Sequence, residues 1–346
     1  MPRQPVTANA CSSREERGPP SRRVPARSPV RTGSGGWMLD NMARSLAVLS
    51  VALAAACGAP GTAGGGDVPR RDVAARAEPR RIVSLIPTAT EILFDLGAGD
   101  RLVGRTRWGV HPPAARRIPD VGDGIRPSLE AVLARDPDLV ILYDGETNRE
   151  SRERLRRLGV PTLALRHDTL EDLRRNILRL GELVGCAEGG SALAGRIARA
   201  LAAVSRATEG RPRVRVYYDA WADPPMTIGG GSFVDSLLTI AGGANVFGDL
   251  EPAAPRVSLE AIIDRNPERI LVSVAPEALH RRPNVATRHG WERIPAVAAG
   301  RISTLDRDVV SRLGPRVAEA AWSIAEALHG ELPAAAPEPI AVSCSS

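Results

Sequence analysis

Ser128-Leu129-Glu130-Ala131 leads to Arg135-Asp136-Pro137 and the apolar run Leu139-Val140-Ile141-Leu142; 130 residues later, Ser258-Leu259-Glu260-Ala261 leads to Arg265-Asn266-Pro267 and Ile270-Leu271-Val272. Four consecutive identities, an Arg and a Pro at matching places, and a strand-like run after each copy argue against a chance likeness of two amphipathic helices. Residues 92–99 match residues 236–243 at an offset of 144, and this second match carries Gly104 onto Gly248. A plan that occurs twice predicts two similar lobes.

The flanking sequence says what each lobe contains. Arg81-Ile82-Val83-Ser84-Leu85-Ile86 reads as a buried strand. Thr88, with Glu91 three residues on, has the spacing of a reciprocal capping box; Ile92, Leu93 and Leu96 give the following helix an apolar face and Gly97 ends it. Ser232 and Asp235 repeat that spacing in the second copy. Further strand-like runs cover residues 139–143, 162–165, 214–218 and 270–274, with helical stretches between. Strands alternating with helices predict a parallel α/β fold, here two similar Rossmann-like lobes. Between the lobes, residues 169–184 and 188–205 have helical spacing. Leu193, Ile197, Leu201 and Val204 form one apolar stripe on the second of these. About 20 residues at 1.5 Å each make a helix near 30 Å long, enough to join the lobes stiffly and limit their motion.

The N-terminus has a different character. The chain has 346 residues, 46 Lys+Arg and 40 Asp+Glu, and a net charge of +6. All the basic residues are Arg, the mark of a GC-rich genome, so the Arg content is weak evidence for a nucleic-acid partner, and none is expected. Residues 1–56 alone hold +5 of the charge. Met42-Ala43-Arg44-Ser45 is a basic start, and residues 46–56 are a run of eleven apolar or small residues, too short for the ~20 residues that span a bilayer. Leu53-Ala54-Ala55-Ala56-Cys57 resembles a lipobox, with Ala54 where Leu is commonest, and predicts lipidation at Cys57. The organisation expected is an export signal over residues 1–57, with 1–37 an upstream mis-start, then a Gly/Ala/Pro tether over 58–78. The N-terminal lobe follows over 79–185, a connecting helix over 186–210, the C-terminal lobe over 211–332 and a tail over 333–346. Cys186 and Cys344 could pair in an oxidising compartment, but the composition of the tail predicts no structural disulfide. No Cys-x-x-Cys pair or Cys/His cluster suggests zinc or an iron–sulfur site. Ordinary apolar and charged fractions, 43% and 25%, exclude wholesale disorder and a polytopic membrane protein.

The strand opening at Arg81, Pro112-Pro113, Pro137-Asp138-Leu139-Val140 and Gly242-Gly243-Ala244-Asn245-Val246-Phe247 together resemble the substrate-binding proteins of bacterial ABC importers that have two α/β lobes on a single helical backbone. The likeness covers residues 79–330 and is strongest to cobalamin-carrying members. It implies a monomeric, envelope-anchored binder, no resident cofactor or metal, and cobalamin or a related corrinoid as ligand. A ferric siderophore or haem is the alternative. The partners implied are a permease dimer with its ATPase subunits. Glu130 and Glu260 match the two carboxylates that such proteins dock into Arg pockets of the permease. A twofold partner offers the same pocket twice, which suits one Glu on each lobe.

The ligand cleft is expected between the lobes at strand ends. Aromatics are only 3% of the chain, so those on connecting segments carry information. Trp108, Tyr143 and Trp221 would wall a corrin face, and Asp308 and Arg312 match residues that hold corrin amides in the resemblance. His111 would offer an imidazole to cobalt or haem iron, although a lone His in a Pro-flanked loop is more often simply hydrogen-bonded. Other aromatic positions of the cobalamin binders fall on Gly124, Ala220 and Ala254. His167, His280, His289 and His329 read as surface residues. A siderophore would favour cleft arginines among Arg105, Arg107, Arg256 and Arg312. Gly229-Gly230-Gly231-Ser232 could bind an anion at a helix start but lacks the Lys of a P-loop. No catalytic constellation is evident, so no enzyme is expected.

Overall fold

The computed structural model describes residues 78–281 and 283–333; the signal, Cys57, nearly all of the tether and the tail lie outside the described residues. The N-terminal lobe contains β1 (Ile82–Ser84), α1 (Pro87–Asp95), β2 (Leu102–Arg105), α2 (Leu129–Leu133), β3 (Leu139–Tyr143), α3 (Glu146–Arg157) and β4 (Thr162–Leu165). Its sheet is parallel, in the order β2-β1-β3-β4. Helices α4 (Leu170–Leu183) and α5 (Ala187–Ala207) follow. The C-terminal lobe runs through β5 (Val214–Asp219), the hairpin β6 (Trp221–Ala222) and β7 (Pro225–Met226), α6 (Phe233–Ile240), β8 (Gly243–Asn245), α7 (Leu259–Arg265) and β9 (Arg269–Val274). It ends with α8 (Pro295–Ala298), β10 (Ile302–Asp306), α9 (Arg307–Val310) and α10 (Val317–His329). Its main sheet is also parallel, in the order β10-β9-β5-β8. With β1, β2, β3 and β4 laid on β5, β8, β9 and β10, the two sheets have one topology.

Local chemistry explains why the repeated stretch folds alike twice. Ser128 and Ser258 each accept the N–H of the residue three positions on, Ala131 and Ala261, both at 3.2 Å, and so cap α2 and α7. The chain leaves both helices through a left-handed residue at the same place in the repeat, Asp136 at φ 46° two residues past the C-cap of α2 and Asn266 at φ 43° as the C-cap of α7. Short polar side chains tolerate that conformation, and the Pro that follows cannot continue a helix.

The sheets are covered on both faces, as parallel sheets require. Alternate strand residues divide between clusters. Val83, Val140 and Leu142 pack with Val132 and Leu155 on the outer side of the first lobe. Tyr217, Ile270 and Val272 pack with Phe247 and Trp291 on the outer side of the second. Ile82, Ile141, Val216, Tyr218 and Leu271 face inward and belong to one apolar cluster that continues through Leu193, Ile197 and Val204 of α5. At 1.5 Å per residue, the 21 residues of α5 extend about 31 Å. The helix packs on α4, α6 and α10, so the joint between the lobes is itself buried core.

Three expectations need correction. Helix α1 has no capping box: its N-cap is Ile86, Pro87 fills the first turn, and Glu91 is buried with partners elsewhere. Ser232 does accept the N–H of Asp235 at 3.2 Å, but the Asp235 carboxylate accepts from Asn245 Nδ2 at 2.9 Å instead of returning to the cap. Cys186, the buried N-cap of α5, is disulfide-bonded, where no structural disulfide was expected; the other cysteines lie outside the described residues.

Candidate functional site

The lobes meet at the carboxyl ends of β2, β9 and β10. After β2 the chain makes a long loop through Trp108, His111 and Arg116. Arg105 organises it: this buried guanidinium donates from Nε to the Ala115 carbonyl at 2.8 Å and from Nη1 to the Thr106 carbonyl at 2.8 Å. Arg105 is therefore a scaffold for the loop and not an anion receptor in the cleft.

Two arginines of the C-terminal lobe reach across. Arg312 Nη1 donates to the Trp108 carbonyl at 2.6 Å and lies 3.9 Å from Glu91 Oε1, while its Nη2 is 3.4 Å from Asp308 Oδ1. Arg316 Nη2 donates to Glu91 Oε1 at 3.2 Å and to the Asp308 carbonyl oxygen at 3.0 Å. The Glu91 side chain is only 3% exposed. This is a buried clasp between α1 of one lobe and the 312–316 turn of the other. The pairing of Asp308 with Arg312 is thus part of an interlobe network, not an exposed helix pair.

A cavity of about 180 Å³ opens beside the clasp, lined by Val110, His111 and Arg116 from one lobe and Asp306, Asp308 and Arg312 from the other, among others. Burial, and then the charges of Arg316 and Arg312, hold the His111 imidazole down at about 4. His111 is accordingly neutral near pH 7, with a lone pair free of a proton. Behind the clasp, burial and the neighbouring Glu91 raise Asp95 to about 7, against the opposing pull of Arg316 and Arg196.

The predicted aromatics divide by setting. Trp108 and Trp221 are 56% and 62% exposed, while Trp291 and Trp322 are buried. Trp221 follows β5 and donates its indole N–H to the Asp223 carbonyl at 3.0 Å, within the β6–β7 hairpin. Tyr143 ends β3, donates its hydroxyl to Asp168 Oδ1 at 2.9 Å and meets His167 edge-on at 4.8 Å. Burial and the Asp168 bond push the Tyr143 hydroxyl up. Trp108, His111, Asp308 and Arg312 come together at the clasp; Tyr143 and Trp221 stand at other strand ends.

Several side chains differ from their sequence reading. His167 is half-buried against Tyr143, and His329 is half-buried with Nε2 3.1 Å from the Ala241 carbonyl, so neither is a surface residue. Asp219 at the end of β5 is buried in a two-bond pair with Arg288, at 2.6 and 2.8 Å, which sequence reading missed because the partners lie 69 residues apart. Gly229 and Gly230 do not cradle an anion. Their N–H groups donate to the Ala253 and Leu250 carbonyls at 3.2 and 2.8 Å, and side chains there would overlap the carbonyl oxygens of Pro252 and Gly248. Gly124 likewise lies against the Leu85 carbonyl, so an aromatic there would need the backbone to move.

Glu130 and Glu260 are exposed in the first turns of α2 and α7. Hydrogen bonds from backbone and from Ser258, with Arg293 nearby, hold Glu260 below the usual carboxylate range. Among the described residues no helix is long and apolar enough to cross a membrane, and no group of three potential metal ligands occurs.

Comparison with known proteins gives a consistent result. Residues 82–309 match the periplasmic binding protein family. The vitamin B12-binding protein of Vibrio parahaemolyticus is 28% identical over 247 residues, 71% of this chain and 88% of that protein. An ABC transporter substrate-binding lipoprotein of Bacillus subtilis is 27% identical over 274 residues, 76% of this chain and 84% of that one. Among solved structures, the periplasmic vitamin B12-binding protein of Vibrio cholerae aligns with a TM-score of 0.63 at 26% identity, covering 72% of this chain and 97% of its own. The periplasmic haem-binding protein of Roseiflexus sp. RS-1 aligns with a TM-score of 0.65, also at 26% identity, covering 72% and 99%.

Proposed function

We infer the function from one premise: this chain belongs to the periplasmic binding protein family. Its two lobes, each a parallel sheet opening toward the other, capture a small molecule outside the cytoplasm and hand it to an ABC importer. The ligand is cobalamin or a related corrinoid. The observation that carries this reading is one exposed tryptophan on each lobe, Trp108 in the loop after β2 beside the clasp and Trp221 on the hairpin after β5, together with the interlobe cavity lined by His111, Asp308 and Arg312. A broad, flat, largely apolar ring with amides on its edge uses both features: the indoles cover its faces, and Asp308 with the cavity arginines orients its rim. The curated relatives named for vitamin B12 span nearly the whole of their own length on this chain, which supports the same ligand.

Delivery needs no chemistry from this chain. Glu130 and Glu260, one exposed carboxylate on each lobe, dock onto a twofold permease, and ATP hydrolysis belongs to other subunits. The exported chain is held at the membrane by lipid on Cys57.

A second reading, haem, has its own support. His111 is a neutral imidazole on the cavity wall, fit for iron ligation, and a haem-binding protein is among the similar structures. Co-elution separates the two. The purified protein is mixed with cyanocobalamin or haemin and passed over a sizing column, and bound ligand is read from its visible absorbance. Retention of cyanocobalamin supports the corrinoid reading. Retention of haemin alone, with a spectrum that changes in His111→Ala, replaces it with the haem reading.

A further inference from the structure

Residues 126–137 and 256–267 share seven identical positions, and five of these have work inside the fold. The two Ser residues cap α2 and α7. The Leu and Ala after them pack on the outer clusters of their lobes. Arg135 is half-buried beside Gly104, and Arg265 donates to the Val246 carbonyl and to Asp249. Pro137 and Pro267 follow the left-handed residues. Folding leaves two identities unexplained: Glu130 with Glu260, and Arg126 with Arg256.

Both arginines are exposed, and neither makes an ion pair or a side-chain hydrogen bond among the described residues. Their backbones are nevertheless fixed. Gly122 bridges Pro127, and Asp123 accepts the N–H of Ile125 at 2.7 Å; in the other lobe Met226 bridges Arg256, and Val257 donates to the Pro225 carbonyl at 3.0 Å. Each lobe therefore holds up, on a fixed backbone, an exposed cation without an ion-pair partner among the described residues, four residues before an exposed carboxylate. If the partner's receiving surface were only basic, both arginines would face like charge, which opposes association. A surface with one acidic and one basic group in each symmetric half fits both.

We propose that Arg126 and Arg256 are a second pair of docking contacts, each meeting a carboxylate of the permease beside the basic group that receives Glu130 or Glu260. This rests on the docking reading given above. The polarity of the pair then discriminates the cognate permease from others that offer basic pockets alone.

The test measures binding of the lipid-free protein to its importer's permease–ATPase complex in nanodiscs, by biolayer interferometry. Three variants are compared: the double variants Arg126→Glu with Arg256→Glu and Glu130→Arg with Glu260→Arg, and a fourfold exchange that swaps Arg and Glu within each lobe and leaves net charge unchanged. Ligand affinity and melting temperature are recorded for all, to establish that they fold. The proposal expects at least about tenfold weaker docking for the Arg reversal, and loss of docking for the other two. If the Glu reversal abolishes docking while the Arg reversal leaves it unchanged or tightens it, the proposal is overturned and the Glu contacts stand. If the Glu reversal changes nothing, the docking reading itself fails and the proposal falls with it.

Discussion

Replacing Glu91 by Gln tests the interlobe clasp. Glu91 stands on the N-terminal lobe with its side chain 3% exposed, while Arg312 and Arg316 reach it from the C-terminal lobe at 3.9 and 3.2 Å, with side chains 16% and 19% exposed. Removing one member of a fully buried ion pair costs about 3–5 kcal/mol, chiefly because the remaining charge is left uncompensated. Here the loss is smaller: Arg312 keeps the Trp108 carbonyl and Asp308, and Arg316 keeps the Asp308 carbonyl. About 2–3 kcal/mol is expected, and for a domain of this size that lowers Tm by roughly 4–12 °C. Burial also raises the Glu91 carboxyl despite both arginines, so desolvation already opposes much of the pair's attraction. It follows that exchanging both ends for apolar groups restores most of the loss. Glu91→Leu with Arg316→Leu should be less destabilised than the sum of the single variants by more than about 1 kcal/mol in urea denaturation. Additivity within about 0.5 kcal/mol would refute the clasp as an energetic link between the lobes.

Three further outcomes follow. Asp95 titrates near 7 in the fold and near 4 when unfolded, so the folded state holds a proton through that interval and stability falls as pH rises from 4 to 7; Asp95→Asn should melt higher than the parent at pH 8 and match it at pH 4 in differential scanning calorimetry. Gly230→Ala would drive a Cβ into the Gly248 carbonyl and should lower stability by more than the few tenths of a kcal/mol of an ordinary surface change, measured by urea titration; an unchanged midpoint would contradict the packing. Cys186 should resist alkylation in the oxidised, denatured protein and react after reduction, as read by intact mass; alkylation without reductant would contradict its disulfide.

What could be read in advance depended on whether a signal was local. β3 and β4 were legible because strands buried on both faces need unbroken apolar runs, and the long stripe on α5 gave the connector. β2, β8 and β10 were not picked out: Gly243-Ala244-Asn245 is short and carries no apolar alternation, and Ile302-Ser303-Thr304-Leu305-Asp306 is mostly polar. The doubled Ser-Leu-Glu-Ala stretch gave the two lobes without any alignment, because cap, helix and left-handed stop are written in consecutive residues. The clasp was illegible for the opposite reason. Glu91 sits at capping-box spacing from Thr88, and its real partner Arg316 lies 225 residues away. Arg105 stands among the candidate siderophore arginines because sequence shows a charge but not the carbonyls that surround it.

The central claim is that the cleft between these lobes holds a corrinoid. Isothermal titration of the purified protein with cyanocobalamin, beside the Trp108→Ala/Trp221→Ala double variant, addresses it most directly. The claim predicts one site per chain at micromolar affinity or tighter, and at least about tenfold weaker binding in the double variant, whose core packing is unchanged because both indoles are exposed and whose melting temperature checks the loss of the Trp221 hairpin bond. No saturable heat with cyanocobalamin, together with tight binding of haemin or a ferric siderophore, would contradict it.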